Sequence, residues 1–368
     1  MESDFLPRAG LQTLLDILRT AGYRCIGPQL QDGAIVYGDL ARVDQLPLGA
    51  SDRQAPGSYR IEQGRGPRYF AWANGPQTLK PWLFVPRESL WRVDASRDHG
   101  LQFTSTENAP SQPLAVIGVR ACDLAALQLQ DRHFLEGPFR DPHYAARRSD
   151  LFLVAVDCSH PADTCFCAST GDGPRADAGY DLALAELDEG FLVRAGSERG
   201  AGIAKSLKCA PASTAQEKIA DDEWQACSRQ QKRHLPSRDL REALFANLAH
   251  PRWDTIAERC LSCGNCTSVC PTCFCHTELD DPSLDGSRSE HVRQWDSCFT
   301  AGHSYIHGIT LREDTGKRYR QWLTHKLGSW HEQYGRSGCV GCGRCIAWCP
   351  VGIDLTEEAS ILCEGETA

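Results

Sequence analysis

Two cysteine-rich stretches in the last third of the chain decide its fold. The first is Cys260-Leu261-Ser262-Cys263-Gly264-Asn265-Cys266-Thr267-Ser268-Val269-Cys270-Pro271. The second is Cys339-Val340-Gly341-Cys342-Gly343-Arg344-Cys345-Ile346-Ala347-Trp348-Cys349-Pro350. Both follow the spacing C-x2-C-x2-C-x3-C-P, which is a ligand pattern for [4Fe–4S] clusters. Short loops with two-residue intervals wrap three thiolates around three corners of one cubane, so the sequence predicts two clusters.

The fourth cysteine of each run begins the next helix and therefore reaches the other cluster, as in bacterial ferredoxins. The predicted ligands of one cluster are Cys260, Cys263, Cys266 and Cys349. Those of the other cluster are Cys339, Cys342, Cys345 and Cys270. Four thiolates also bind zinc, but zinc sites usually draw on two separated pairs of cysteines. Two complete runs favour iron–sulfur clusters over zinc.

The overall composition is that of a globular chain with an unusual number of cysteines. The 368 residues include 19 cysteines and carry a formal net charge of −9. This charge argues against binding to nucleic acid or to an anionic membrane, which requires a basic face. The sequence has no apolar run long enough for membrane insertion and no signal peptide at its first residues. We therefore expect a cytoplasmic protein with reduced thiols, in which clustered cysteines bind metal.

The first two thirds of the chain carry the pattern of an α/β domain. Leu114–Val119 and Leu151–Val156 are apolar runs typical of strands buried on both faces. A helix capped by Asp123 lies between them, which predicts a parallel βαβ unit with a right-handed crossover. Leucines between Leu11 and Leu18 recur at helical spacing, and Leu83–Val85 is interpreted as a strand.

The fold class predicted from these patterns is α+β. We expect an α/β domain over residues 1–240 and a mostly helical, ferredoxin-like dicluster domain over residues 241–368, with a helical insert between the two cysteine runs. The insert contains Arg312, Arg320 and Lys326. We interpret these basic residues as a solvated helix face. Stabilisation of reduced clusters and docking of an acidic partner stay open as alternatives.

Four further cysteines, Cys122, Cys158, Cys165 and Cys167, are candidate ligands of a third [4Fe–4S] cluster. Cys122 and Cys158 follow the two buried strands, so both stand at the carboxyl edge of the sheet, where such sheets bind ligands. Cys122 also opens a helix, whose N-terminal dipole favours a thiolate. The spacing is not a standard motif, so structural cysteines and a zinc site remain alternatives.

The cysteines outside these three groups carry weaker signals. Cys273 and Cys275 stand close enough to Cys270 to compete as ligands, although packing is the simpler interpretation, and the role of Cys298 stays open. Small buried side chains are expected at Cys25, Cys209, Cys227 and Cys363.

No nucleotide-binding motif accompanies the cysteines. The chain has neither a G-x-G-x-x-G sequence after a strand nor a G-x-x-x-x-G-K-[ST] loop. We therefore expect no flavin or nucleotide site on this chain. We also expect that electrons enter it from other proteins and leave it to other proteins.

Several segments resemble the β subunit of NAD(P)-linked [NiFe] sulfhydrogenases and its sister, the corresponding iron–sulfur subunit of anaerobic sulfite reductase. These segments are Lys80–Phe84, Gly118–Leu124, Asp157–Cys167, Cys260–Cys275, Trp295–Cys298 and Gly338–Cys345. The resemblance covers nearly the whole chain. The dicluster motif is shared by many families, whereas Cys122 and the Cys165-Phe166-Cys167 element discriminate between them.

The resemblance implies an electron-transfer subunit that is not catalytic alone. Its partners would be a diaphorase-type subunit that binds FAD and NAD(P)H, together with [NiFe] hydrogenase or sulfite reductase subunits, with the hydrogenase branch preferred. The extra cluster of the family maps onto the group of Cys122, Cys158, Cys165 and Cys167. Two other hypotheses stay open. One is a polysulfide- or disulfide-reducing module that uses Cys273, Cys275 or Cys298, and the other is a scaffold with zinc sites.

Overall fold

The computed structural model describes residues 3–77, 79–96, 98–105 and 112–364. The strands are β1 (Asp4–Pro7), β2 (Arg24–Gln31), β3 (Ala34–Asp39), β4 (Ala50–Ala55), β5 (Ser58–Gln63), β6 (Arg87–Ser96), β7 (Gly100–Ser105), β8 (Leu114–Val119), β9 (Leu151–Val156), β10 (Leu182–Glu186), β11 (Gly190–Ala195), β12 (Ala210–Pro211), β13 (His276–Pro282), β14 (Arg288–Trp295), β15 (Tyr305–Ile306) and β16 (Ile309–Thr310).

The α-helices are α1 (Gly10–Thr20), α2 (Lys80–Leu83), α3 (Ala121–Phe134), α4 (Pro142–Ser149), α5 (Cys167–Thr170), α6 (Glu198–Ser206), α7 (Thr214–Arg229), α8 (Leu240–Ala246), α9 (Arg252–Arg259), α10 (Asn265–Ser268), α11 (Thr315–Thr324), α12 (Trp330–Tyr334), α13 (Arg344–Ala347) and α14 (Leu355–Glu364). A π-helical turn, His325–Ser329, joins α11 to α12. Within the described part of the chain, no helix is long and apolar enough to span a membrane.

The larger sheet has the strand order β12-β1-β11-β10-β9-β8-β2-β3. Its central strands β2, β8, β9 and β10 run parallel, and the flanking pairs are antiparallel. Leu114 pairs with Leu151, and α3 connects the two strands, which confirms the predicted βαβ unit. The carboxyl ends of β8 and β9 therefore lie at one edge of the sheet, where Cys122 and Cys158 follow.

Helices cover both faces of this sheet. Leu11, Leu14, Leu15 and Leu18 of α1 are fully buried against one face, as the helical spacing predicted. On the other face, α3 packs Leu124 and Leu127 against the sheet. The opposite side of α3 is also buried, because Ala126 and Leu129 contact Trp330 and Val340 of the cysteine-rich region.

The smaller sheet joins sequence segments that are far apart. Its order is β13-β14-β6-β7, so the prediction of a helical insert between the cysteine runs is wrong for its first part, which is a hairpin that pairs with a strand from the first half of the chain. Arg293 pairs with Glu88 in register, and their side chains form a buried ion pair at 2.7 Å. The strand expected at Leu83–Val85 is wrong. Pro81 stands in the first turn of α2, where proline favours helix, and β6 begins only at Arg87.

Candidate metal centres

The first predicted ligand group surrounds one cavity. Cys260, Cys263, Cys266 and Cys349 line it together with apolar side chains, among them Phe299. The backbone N–H of Ser262 donates to the Cys260 sulfur at 3.5 Å, and that of Ile353 donates to the Cys349 sulfur at 3.3 Å. Hydrogen bonds of this kind stabilise thiolates. Gly264 adopts a left-handed conformation with φ 75°, which lets the short loop wrap around the cavity.

The second predicted group is also brought together. Cys270 is close enough to Cys339, Cys342 and Cys345 to interact electrostatically with each of them. Burial raises the pKa of the Cys339 thiol to about 12, so the protein interior disfavours a thiolate there unless a positive charge or a metal compensates it.

The loop that holds this second group packs tightly against the segment with Cys165 and Cys167. A Cβ atom at Gly341 would lie 2.5 Å from the backbone nitrogen of Cys167, and one at Gly343 would lie 2.3 Å from the carbonyl oxygen of Thr164. Both glycines also have positive φ values. Glycine is therefore required at both positions, and this close approach places the second and third cysteine groups side by side.

The third group meets at the carboxyl edge of the large sheet. Cys165 interacts electrostatically with Cys158 and Cys167, and Cys122 interacts with Cys167 and with Cys342 of the second group. Cys122 stands in the first turn of α3, as predicted. Cys167, which interacts with Cys122, Cys158 and Cys165, thus links the four candidate cysteines.

Polar side chains support the third group. The side-chain amide of Gln231 donates to the Cys167 sulfur at 3.2 Å, and that of Asn74 lies 3.8 Å from the Cys165 sulfur. The sequence did not predict one neighbour of this group. Cys227 on α7 is buried and interacts with Cys158 and Cys167. No local motif marks it, because its proximity arises only from the packing of α7.

The predicted helix cap at Asp123 is wrong. Arg120 is the N-cap residue of α3, and no side chain caps that end. Instead, the Asp123 carboxylate accepts two hydrogen bonds from Arg344, at 2.7 and 2.9 Å, and both side chains are about 1% exposed. This buried ion pair links the start of α3 to the second cysteine run.

Buried cations lie against the cysteine groups. The Lys326 ammonium is 3.6 Å from the Cys270 sulfur and 2.7 Å from the Thr272 hydroxyl, so a solvated position for this residue is wrong. Arg120 interacts with Cys158, and Arg344 interacts with Cys342. Buried cations are stable only beside negative charge, so these surroundings fit anionic clusters bound by thiolates.

The ligand groups do not have the geometry of a single-ion site. Among the described residues, no three cysteine, histidine, aspartate or glutamate side chains converge on a position that suits one metal ion. A zinc ion needs four ligands at about 2.0–2.3 Å. A cubane holds its thiolates farther apart, because each binds a different iron atom. The two complete C-x2-C-x2-C-x3-C-P runs, rather than the lack of a single-ion site, favour [4Fe–4S] clusters over zinc.

Comparisons with known proteins agree with this geometry. Residues 259–353 match the 4Fe-4S dicluster domain family. The chain is 29% identical over 289 residues to sulfhydrogenase 2 subunit beta of Pyrococcus furiosus, covering 78% of this chain and 83% of that protein. No solved structure matches. These comparisons confirm the resemblance and the class of cofactor: the chain is an iron–sulfur protein that carries a 4Fe-4S dicluster domain and is related to sulfhydrogenase β subunits.

Proposed function

We propose that this chain relays electrons between a diaphorase-type partner, which binds FAD and NAD(P)H, and a [NiFe] hydrogenase module. The observation that carries the proposal is the proximity of the three cysteine groups. Cys342 of the second group interacts with Cys122 and Cys167 of the third, and Cys345 interacts with Cys266 of the first. A [4Fe–4S] cluster takes up and gives away single electrons, so adjoining sites form a continuous path.

The proposed ligand sets are those predicted from the sequence. Cys260, Cys263, Cys266 and Cys349 hold one cluster; Cys339, Cys342, Cys345 and Cys270 hold the second; Cys122, Cys158, Cys165 and Cys167 hold the third. The first group lies nearest the surface, since Cys263 is exposed and the other groups are mostly buried. We infer that an external redox partner docks beside Cys263. The division at residue 240 and a cytoplasmic location complete the proposal.

The name of the relative supports the hydrogenase branch. A direct test mixes the anaerobic holo-protein with a reduced FAD-containing diaphorase in a stopped-flow instrument. Bleaching of the visible iron–sulfur absorbance should follow flavin oxidation. If NAD(P)H alone reduced the purified chain rapidly and bound it tightly, the proposed division of labour with a flavoprotein would be wrong.

Anaerobically purified protein should be brown and contain about 12 iron and about 12 sulfide per chain, because three cubanes each hold four of both. Metal and sulfide analysis measures both quantities. A content of about 8 iron would remove the third cluster from the proposal. Zinc with little sulfide would contradict the proposal as a whole.

Replacement of Lys326 by methionine should lower the reduction potential of the second cluster. The ammonium lies beside Cys270 in the protein interior, so it stabilises the more negative, reduced state. At an effective dielectric constant of about 20 and a separation of roughly 7 Å, one charge contributes about 2.4 kcal/mol, on the order of 100 mV for one electron. Anaerobic redox titration followed by EPR measures the shift.

Lys218→Met is the matched control, because the Lys218 side chain is 72% exposed and solvent screens its charge. It should leave every potential unchanged. An unchanged or raised potential in Lys326→Met, with full iron content, would show that this ammonium does not stabilise the reduced cluster.

A further inference from the structure

One cluster of thiols takes no part in the three cysteine groups. Cys275 has both Cys298 and His303 as neighbours. His303 in turn contacts the Asp296 carboxylate through Nδ1, at 2.8 Å. A thiol, an imidazole and a carboxylate therefore stand in series, with a second thiol beside the first. This is the arrangement in which a base activates a nucleophilic sulfur.

The β13–β14 hairpin explains why these residues meet. His276 pairs with Trp295 at the open end of the hairpin. Cys275 comes directly before the first strand, and Asp296 directly follows the second. Cys298 lies two residues further on, so both thiols are held at the same end of a rigid element.

A surface cavity gives access to this end of the hairpin. Its lining includes Cys273, Cys275, Asp296 and also Cys263 of the first cysteine group. Cys275 and Cys298 are both partly exposed. A small molecule that enters the cavity can therefore contact the Cys275 sulfur and approach the proposed electron path.

We propose that Cys275 and Cys298 form a redox-active dithiol that reacts with a small organic disulfide entering this cavity. The two thiols are neighbours, His303 and Asp296 stand beside them, and Cys275 lines a cavity open to solvent, which suits a reaction of thiols with a small molecule.

The reaction is a thiol–disulfide exchange that balances in two steps. The Cys275 thiolate attacks one sulfur of the disulfide RSSR, the S–S bond breaks, and RS⁻ leaves and takes a proton from the His303 imidazolium. Cys298 then attacks the Cys275 sulfur, which releases the second RS⁻ and forms the Cys275–Cys298 disulfide. The proton of Cys298 passes to that leaving thiolate. One dithiol is oxidised and one RSSR is reduced to two RSH.

The electrostatic surroundings agree with these roles. Hydrogen bonding to Cys298, and then to His303, lowers the pKa of the Cys275 thiol to about 4, although burial opposes this shift. Hydrogen bonding to Cys275 and to Asp296 raises the pKa of His303 to about 9. Because Cys275 lines the cavity and has His303 beside it, whereas Cys298 stands behind it, we assign Cys275 as the nucleophile and Cys298 as the resolving thiol.

Turnover requires two electrons and two protons to restore the dithiol. A low-potential one-electron reductant supplies the electrons, and this part of the inference rests on the proposed electron-transfer function. Cys263 on the wall of the same cavity places the first cysteine group next to the dithiol.

The test uses anaerobic holo-protein, dithionite-reduced methyl viologen as electron donor and 5,5′-dithiobis(2-nitrobenzoic acid) as the disulfide. Without the donor, the wild-type chain should release two equivalents of coloured thiol from the reagent per dithiol. With the donor, it should reduce the reagent catalytically. Mass spectrometry after the stoichiometric reaction should find Cys275 linked to Cys298. Cys275→Ser should reduce turnover at least tenfold, and Cys298→Ser should stop at a mixed disulfide on Cys275.

Cys209→Ser is the control, since this half-buried thiol lies outside the site, and it should keep wild-type turnover. Iron content and cluster reduction by viologen are measured for every variant. Loss of iron in Cys275→Ser would make that residue a metal ligand and overturn the inference. Full turnover by Cys275→Ser would do the same. Failure of the clusters to take up electrons at all would contradict the relay function, while the stoichiometric exchange would still report on the dithiol.

Discussion

Replacing Cys158 by serine should reduce the iron content by about four atoms per chain, from about 12 to about 8. Cys158 follows β9, and its sulfur interacts with those of Cys165 and Cys167 at the edge of the sheet. Serine is a poor ligand for iron in this setting, so the third cluster should not assemble. The other two ligand groups do not include this residue and should keep their clusters.

Iron and sulfide analysis measures the loss, and EPR of the reduced protein should still show the two remaining clusters. Two cysteine variants serve as controls. Cys209→Ser should keep all of the iron, because Cys209 stands apart from the three groups. Cys227→Ser should also keep it, although Cys227 interacts with Cys158 and Cys167. If Cys227→Ser lost four iron atoms and Cys158→Ser none, the third ligand set would have to include Cys227.

Such an outcome depends on packing that the sequence does not encode locally. The two cysteine runs, the leucines of α1 and the βαβ unit could be predicted, because each is written in a short periodic pattern. The placement of Cys122 and Cys158 at the same edge of the sheet could also be predicted, since parallel strands end at one edge of a sheet. Cys227 could not, because only the placement of α7 brings it to the same edge.

The incorrect predictions share a physical cause. Asp123 has the composition and position of a helix cap, but a distant arginine competes for its carboxylate. Lys326 stands among charged residues typical of a solvated helix, yet its ammonium points inward within the π-helical turn. The β13–β14 hairpin pairs with β6 across about two hundred residues of sequence, as the Arg293 and Glu88 register shows. The distant partner of a buried charge or of a strand produces no periodic pattern in the local sequence, so it cannot be predicted from that sequence.

These long-range contacts affect how the proposed electron path is built. The second and third cysteine groups belong to different parts of the sequence, but they share a boundary of buried side chains. Glycines at 341 and 343 allow backbones to touch there, and the Asp123–Arg344 pair crosses the same boundary. Because adjacent clusters exchange electrons only over short distances, the contacts that fix this boundary should matter for the function as well as for folding.

Arg344→Met should therefore destabilise the protein by about 3–5 kcal/mol, the range found when one member of a buried ion pair is removed. The change leaves the Asp123 carboxylate buried without its two charge-assisted hydrogen bonds, and it frees the carbonyl oxygen of Gly75, which accepts from Arg344 Nε at 2.8 Å. The midpoint of denaturant unfolding measures the effect. It is recorded anaerobically and with the same protocol for every variant, because cluster loss is irreversible.

A double variant distinguishes the effect of the ion pair on stability from the effect of general packing. Asp123→Leu combined with Arg344→Met removes both charges, so it should be more stable than Arg344→Met alone, because no uncompensated carboxylate remains. Arg42→Met removes a member of an exposed pair, in which Arg42 is 70% and Asp44 is 64% exposed, and it should leave the midpoint unchanged. If the double variant were as unstable as the sum of its single changes, the two side chains would act independently and the boundary would not depend on their pairing. If instead the double variant recovers stability and retains all of its iron, the ion pair fixes the boundary between the second and third cysteine groups.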